Sequence, residues 1–246
     1  MFERVVCGVD GSAASLEAVR QADLLAADGG RLVLVAAVDL TDAIHFQVAP
    51  TAVHAARHAL ERAEELDRRA LESLERARAE VVRAADVATQ EASGPPARCL
   101  TEAAASEGAA LIAVGSHGHG RADEFTLGGV AMRLLHHARC SLHIARAPAE
   151  GRWSPQRIVV GSDGSRSAEA AVAAAVELGA RLGAEVESIT VAHHRAGHAL
   201  VEAAAGAGLV VVGRRGSHGA HVLGSVSHHV ARAARCSVLV VRDDAS

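Results

Sequence analysis

The sequence predicts an α/β protein built from two open, parallel-sheet domains in tandem, each a three-layer α/β/α unit. Three observations carry that prediction. Blocks of sequence recur in the same order along the chain. Each copy alternates short Val-rich runs with longer amphipathic ones. Half of the 246 residues are apolar and 22% are charged, enough to bury a sizeable core. Aromatics make up only 2%, so Ala, Val and Leu must build that core.

The repeat sets the architecture. RVVCGVDGS at 4–12 returns as RIVVGSDGS at 157–165, and LTEAAA at 100–105 returns as LVEAAA at 200–205. LIAVGSHG at 111–118 returns as LVVVGRRG at 209–216, and ARCSLHIAR at 138–146 returns as ARCSVLVVR at 234–242. The second copy is shorter, and most of the loss falls between its first two blocks. The predicted division is a full domain at 1–147, a linker at 148–156 with a Pro near each end, and an abridged domain at 157–246.

In the first copy, Arg4–Val9 reads as a strand, and the Asp-Gly-Ser after it signals a helix start. That helix is expected over Ser12–Ala27, stopped by Gly29-Gly30. Arg31–Val38 is apolar on both faces, as in a buried parallel strand. A loop at 39–51 leads to a long helix over 53–85, whose apolar residues fall three or four apart. Its pairs Glu64–Arg68, Glu65–Arg69 and Glu72–Arg76 have favourable helical spacing. A strand at Asp86–Gln90, a Gly94-Pro95-Pro96 break, a helix at Ala97–Gly108 and a strand at Ala110–Gly115 follow. A glycine-rich loop, a helix at Gly129–His137 and a strand at Ser141–Arg146 complete the copy.

The second copy keeps strands at Arg157–Gly161, Glu185–Ala192, Leu209–Val212 and Ser237–Arg242, with helices at Ala168–Leu182 and Ala199–Ala207 and one after the glycine loop. It lacks the long helix and one strand. Whether Glu185–Ala192 is the second or the third strand stays open, although Val191 falls where Val38 does and favours the second.

Composition removes several chemistries. All 25 basic residues are Arg, so there is neither a Walker A Lys nor a Schiff-base Lys. A formal charge of −4 argues against a nucleic-acid binder. No segment has the length and apolarity of a membrane span, and MFERVVCGVD lacks the apolar stretch of a secretory signal, so a cytoplasmic protein is expected. The four Cys show no CxxC spacing and read as reduced core thiols.

Two features carry chemistry. One is the strand-end Asp-Gly-Ser, at Asp10-Gly11-Ser12 and Asp163-Gly164-Ser165. The other is the glycine loop after the fourth strand. It runs from Gly115-Ser-His-Gly118 across nine residues to Gly128-Gly129-Val130-Ala131. In the second copy it runs from Gly213-Arg-Arg-Gly216 across seven residues to Gly224-Ser225-Val226-Ser227. Each loop ends at a helix N-terminus, where free backbone N–H groups and the helix dipole favour a phosphate. Glycines let the backbone approach the anion closely. Both features lie beyond the carboxyl ends of the strands, where open α/β sheets place ligands.

With VDGSxxS after the first strand, VGSHGHG after the fourth and GSVSHHV…CSVLVVR at the end, the chain resembles the universal stress protein family. The resemblance spans nearly the whole chain, as a tandem pair with an abridged second member. It implies a Rossmann-like, adenine nucleotide alpha hydrolase-like fold and ATP as ligand, with Mg²⁺ as its companion. The family's ATP-binding members use a G-x2-G-x9-G-[S/T] loop, an Asp ending the first strand and a Val ending the second. The first copy then offers Asp10, Val38, Gly115, Gly118, Gly128 and Gly129, and the second Asp163, Val191, Gly213, Gly216, Gly224, Ser225 and Ser227. Both depart from the pattern: Gly129 and Ala131 replace hydroxyl residues in the first, and the second loop is two residues short.

Fifteen His raise the question of a metal. Adjacent pairs such as His136-His137 and His228-His229 diverge on a helix, and nothing completes a zinc-like spacing, so no metal site is predicted. His117 and His119 read as rim residues of the loop. Arg121, Arg214 and Arg215 are candidates for phosphate contacts in place of Lys. Neither a GxSxG motif nor a partnered general base is present, so a binding and signalling protein is expected rather than an enzyme. The rival reading is a scaffold without a nucleotide. Ser141–Arg146 and Ser237–Arg242 would pair within one chain as a pseudo-dimer, hiding apolar strand edges that otherwise invite a second copy.

Overall fold

The computed structural model describes residues 1–39, 52–119, 127–190, 196–214 and 224–243, with residues 52–59 described by their backbone alone. The described residues form nine strands and seven helices. The first half contains β1 (Phe2–Val9), α1 (Ala13–Leu25), β2 (Ala26–Val38), α2 (Ala52–Ala79) and β3 (Asp86–Ser93). It continues with α3 (Pro96–Glu107), β4 (Leu111–Gly115), α4 (Gly129–His137) and β5 (Ser141–Ala145). The second half contains β6 (Arg157–Ser162), α5 (Arg166–Leu182), β7 (Glu185–Thr190), α6 (Ala196–Ala203), β8 (Leu209–Gly213), α7 (Ser225–Ala233) and β9 (Ser237–Val241).

Local chemistry sets the element ends. Ser12 caps α1 by accepting a hydrogen bond from the Ser15 N–H, and Ser165 caps α5 by accepting one from Ala168. α3 begins with Pro96, which needs no N–H partner there, and ends on Gly108 at φ 61°. Several predicted ends differ: β2 begins at Ala26 rather than Arg31, β3 runs to Ser93 rather than Gln90, and α6 spans Ala196–Ala203 rather than Ala199–Ala207; the ends of the first two helices have a visible cause. α1 stops at Leu25, because Ala26 is already extended and pairs with Phe2 at the start of β2. The long helix ends at Ala79 rather than near residue 85. The buried Asp23 carboxylate accepts the N–H groups of Val82 (2.9 Å), Arg83 (2.9 Å) and Ala84 (2.7 Å), which takes those residues out of the helical ladder. An Arg20–Glu80 ion pair, with contacts of 2.7 and 2.9 Å, ties α1 to the end of α2.

The strands form one sheet in the order β3-β2-β1-β4-β5-β9-β8-β6-β7. Pairing is parallel within each half and antiparallel at the one junction, β5 with β9. β7 pairs with β6 from Arg157↔Glu185 to Ser162↔Thr190, the place that β2 holds beside β1. The middle strand of the second half is therefore the second strand of the repeat. One apolar layer joins Val5, Leu25, Leu74 and Leu34 to Ile158, Leu178 and Leu239 on one face of the sheet. The other joins Val6, Leu100, Ile112 and Leu134 to Leu200, Val230 and Val238. Both layers run through both halves, so the core is shared.

The junction is polar as well as apolar. Leu142, His143 and Ile144 face Val240, Leu239 and Val238. The Arg146 N–H donates to Ser237 Oγ (3.0 Å), and the Arg242 N–H donates to Ser141 Oγ (3.1 Å), a reciprocal pair. The buried Arg146 guanidinium donates to the carbonyls of Ala231 (2.9 Å) and Cys236 (3.3 Å), closing the end of α7. Arg242 does the same for Ala138 at the end of α4 (3.3 Å). His143, fully buried, shares a hydrogen bond between Nε2 and Gln21 Oε1 (2.8 Å), which also accepts from Ser237 Oγ (2.8 Å). Trp153, from the stretch between the halves, lies with its ring 5.9 Å from that of His143 and donates to the Gly208 carbonyl (3.0 Å).

The four Cys are unpaired, and burial pushes the Cys140 and Cys236 thiols up to about 11. No helix among the described residues is long and apolar enough to cross a membrane.

Candidate functional site

The ends of β1, β2 and β4, with the starts of α3 and α4, enclose a cleft of about 160 Å³ in the first half. Its position follows from the sheet order. β1 and β4 are neighbours, and the chain leaves them toward opposite faces, to α1 and α4.

Glycines set the shape of the floor. At Gly115 a Cβ would stand 2.7 Å from the backbone of Ala14, so only a bare backbone passes over the start of α1. At Gly118 a Cβ would stand 2.5 Å from Asp10 Oδ2, so the turn presses against the strand-end carboxylate. The Gly128 N–H donates to the Ser116 carbonyl (2.7 Å), folding the turn back onto the start of α4. Gly128 caps α4 with no side-chain hydrogen bond. A Cβ on Gly129, by contrast, would meet nothing within 4 Å.

Asp10 is held in place. Its Oδ1 accepts from the Ser12 N–H (2.9 Å) and hydroxyl (2.5 Å), while Oδ2 lies 3.6 Å from His119 Nδ1. His117 lines the cleft, with Nδ1 at 3.0 Å from Ser116 Oγ. Val35, Ala37, Pro96 and Leu100 form an apolar wall opposite the glycine turn.

The sequence-predicted residues of the first half mostly converge here. Asp10, Gly115, Gly118, Gly128 and Gly129 all line the cleft. Val38 does not: its side chain joins the apolar layer with Leu34 and Ala36, because residues alternate across a strand. Val35 and Ala37 face the cleft instead, and were missed with Pro96 and Leu100. A signal for Leu100 was present in the repeat. A Cβ on Gly8 would lie 2.9 Å from Leu100 Cδ1, and one on Gly161 would lie 2.6 Å from Leu200 Cδ1, so the recurrent leucine packs on the recurrent glycine.

The second half repeats the turn with other partners. Asp163 Oδ1 accepts from the Ser165 N–H (3.0 Å), and the Gly224 N–H donates to the Arg214 carbonyl (2.9 Å). A Cβ on Gly213 would stand 2.6 Å from the Ser167 carbonyl oxygen. The buried Ser227 hydroxyl is turned onto the Gly224 (2.9 Å) and Arg214 (3.1 Å) carbonyls, while Ser225 is exposed at the helix start. Arg214, a candidate for a phosphate contact, donates to the His136 (2.7 Å) and Ala138 carbonyls at the end of α4. Those unsatisfied helix-end carbonyls draw the guanidinium toward the first half. Val191, Gly216, Arg121, Arg215, His218 and His221 lie outside the described residues.

Solved structures share the fold over both halves. A universal stress protein from Archaeoglobus fulgidus DSM 4304 is 18% identical, with 98% of each chain covered and a TM-score of 0.68. A putative universal stress protein from Pseudomonas aeruginosa UCBPP-PA14 is 16% identical, with 99% of this chain and 94% of that one covered and a TM-score of 0.62. The family model described as "Universal stress protein family" matches residues 1–146 and 189–242. Those segments contain the Asp10 turn, the cleft and both glycine turns, and on that match the chain belongs to the universal stress protein family.

Proposed function

We propose that this chain is a stress-response protein that binds an adenine nucleotide, ATP, in the cleft of its first half and acts by binding and signalling rather than by catalysis. We take residues 1–147 and 157–246 as its two domains, joined by 148–156, and the cytoplasm as its place of action. The observation that carries the reading is the glycine turn pressed against Asp10 at the start of a helix that no side chain caps. Backbone N–H groups in the first turn of a helix have no helical partner and suit an anion. A Cβ at Gly118 would collide with Asp10 Oδ2 and force the turn or the carboxylate out of place.

The residues fit the ligand. The apolar wall of Val35, Ala37, Pro96 and Leu100 suits an adenine ring. The turn from Gly115 to Gly118 and the start of α4 at Gly128 and Gly129 would hold the phosphates. Asp10, with Oδ1 already engaged by Ser12, would offer Oδ2 to a ribose hydroxyl or to Mg²⁺. Ser116 Oγ and His117 Nδ1 lie 3.0 Å apart beside the cleft, but Ser116 is itself buried, so the reading is binding rather than catalysis.

The second half is the weaker candidate. Asp163, Gly213, Gly224, Ser225 and Ser227 keep the order of the motif, but the Ser227 hydroxyl is engaged by carbonyls. A nucleotide there would rest on Ser225 and the backbone.

The scaffold reading has one observation in its favour, the reciprocal β5–β9 junction, which does its work without a ligand. One experiment separates the two. The purified protein is denatured and its released small molecules are identified, and ATP is then titrated against wild type and Gly118→Val. Released nucleotide and an ATP-dependent rise in Tm that Gly118→Val abolishes support binding. No release and no rise in wild type leave the scaffold reading standing.

A further inference from the structure

The two halves are built alike on either side of the junction, yet one groove is filled and its counterpart is open. On the first side, Trp153 belongs to the apolar layer that α1 packs on, its ring 5.9 Å from that of His143, which bonds Gln21 of α1, and Glu17 and Arg20 stand one turn or less from Gln21. Counting from the recurrent Asp-Gly-Ser, α5 carries Ala170, Ala173 and Ala174 in place of those three residues. Leu239 stands where β5 has His143. The result beside α5 is a groove of about 570 Å³.

Its floor is Phe2, Ala170, Ala173, Ala174, Leu178 and Val241. Its rim carries both signs of charge, with Arg166 and Arg242 against Glu169, Glu177 and Asp243. Ala110 lines its far side, the residue that corresponds in the repeat to Gly208, whose carbonyl receives the Trp153 indole N–H. The filled groove therefore states what the open one is shaped to receive. An apolar floor of methyl groups beneath a mixed-charge rim suits a flat aromatic body that is neutral or zwitterionic.

We propose that the groove between α5 and the end of β9 binds a planar aromatic molecule of indole size. This site is separate from the cleft of the first half and stands or falls apart from it.

The test titrates indole into the full chain while following the methyl signals of Leu178 and Val241 by NMR. Saturable shifts at those methyls, unchanged in Gly118→Val, are expected. Ala174→Trp, whose ring would occupy the groove, should weaken binding about tenfold or more. Ala174→Gln, the residue that α1 carries at that place, serves as the second variant if Ala174→Trp does not fold, and should also weaken binding. The absence of shifts at Leu178 and Val241 at saturating indole overturns the proposal. So do shifts that persist unchanged in both variants. A dimer in solution that Ala174→Trp dissociates, with no indole binding, also overturns it by assigning the groove to a second copy.

Discussion

The turn after β4 and the turn after β8 begin from the same glycine spacing and end in different work. In both, a glycine at the strand end slips over the start of a helix, at Ala14 in one case and Ser167 in the other. In both, the N-cap glycine returns its N–H to the carbonyl one position past the strand. After β4, the next residues turn toward Asp10 and border an open cleft. After β8, Arg214 leaves its own half and closes the end of α4. The neighbouring helices differ accordingly. His198 and His229 stack with ring centroids 4.1 Å apart over Gly197, drawing α6 onto α7. The lesson is that a backbone motif provides donors, and the side chains around it decide whether they meet a ligand or the protein itself.

The largest effect should come from Gly118→Val. Its side chain collides with Asp10 Oδ2, so ATP-dependent stabilisation measured by thermal denaturation should vanish. Arg214→Ala should leave that stabilisation intact while lowering Tm. If both variants lost it equally, the two turns would not be doing different work.

Next in size is Arg146→Ala, which strips the Ala231 and Cys236 carbonyls of a buried donor. A loss of about 2–3 kcal/mol is expected by urea denaturation, with the two halves still unfolding together. Two separate transitions would contradict the shared core.

The third concerns His143, whose counterpart in the second half is Leu239. Burial pushes the His143 imidazole down to about 3 from the usual 6.5. The unfolded chain takes up a proton below pH 6.5 that the folded chain refuses, so stability is fully present above that value and falls as pH drops toward 3. The slope approaches about 1.4 kcal/mol per pH unit for one group. His143→Leu should flatten that part of the curve, since Gln21 Oε1 keeps its bond from Ser237. Denaturation at pH 7 and pH 5 checks the difference between the two proteins.

The smallest is Gly129→Ser. Open space around Gly129 admits a side chain, and a hydroxyl there restores a phosphate donor. An affinity gain of about threefold to tenfold for ATP is expected by calorimetry, equivalent to a net hydrogen bond of about 1 kcal/mol.

Much of this was legible in the sequence. The repeat predicted two parallel-sheet halves, and the paired CSLHIAR and CSVLVVR runs predicted the junction. Asp10 was singled out as the recurrent strand-end Asp and the glycines as a recurrent helix-start turn, and the structure places them around one cleft. The misses came from tertiary partners. α2 has the composition to run on past Ala79, but the Asp23 carboxylate, far away in sequence, claims the N–H groups of Val82, Arg83 and Ala84 that would have continued it. Val38 was chosen by position in a motif, whereas strand alternation sends its side chain to the other face. Arg214 has the charge for a phosphate, but nothing local foretells that α4's end lies within its reach. Trp153, the one Trp of the chain, lay in a stretch read only as a linker.

The β5–β9 pairing joins strands of one polypeptide, so its partner is always present at a local concentration set by the tether rather than by how much protein is made. A junction between separate chains loosens on dilution; this one does not. Its integrity is therefore insensitive to expression level, and the same reciprocal contacts hold in a cell making a few copies or many.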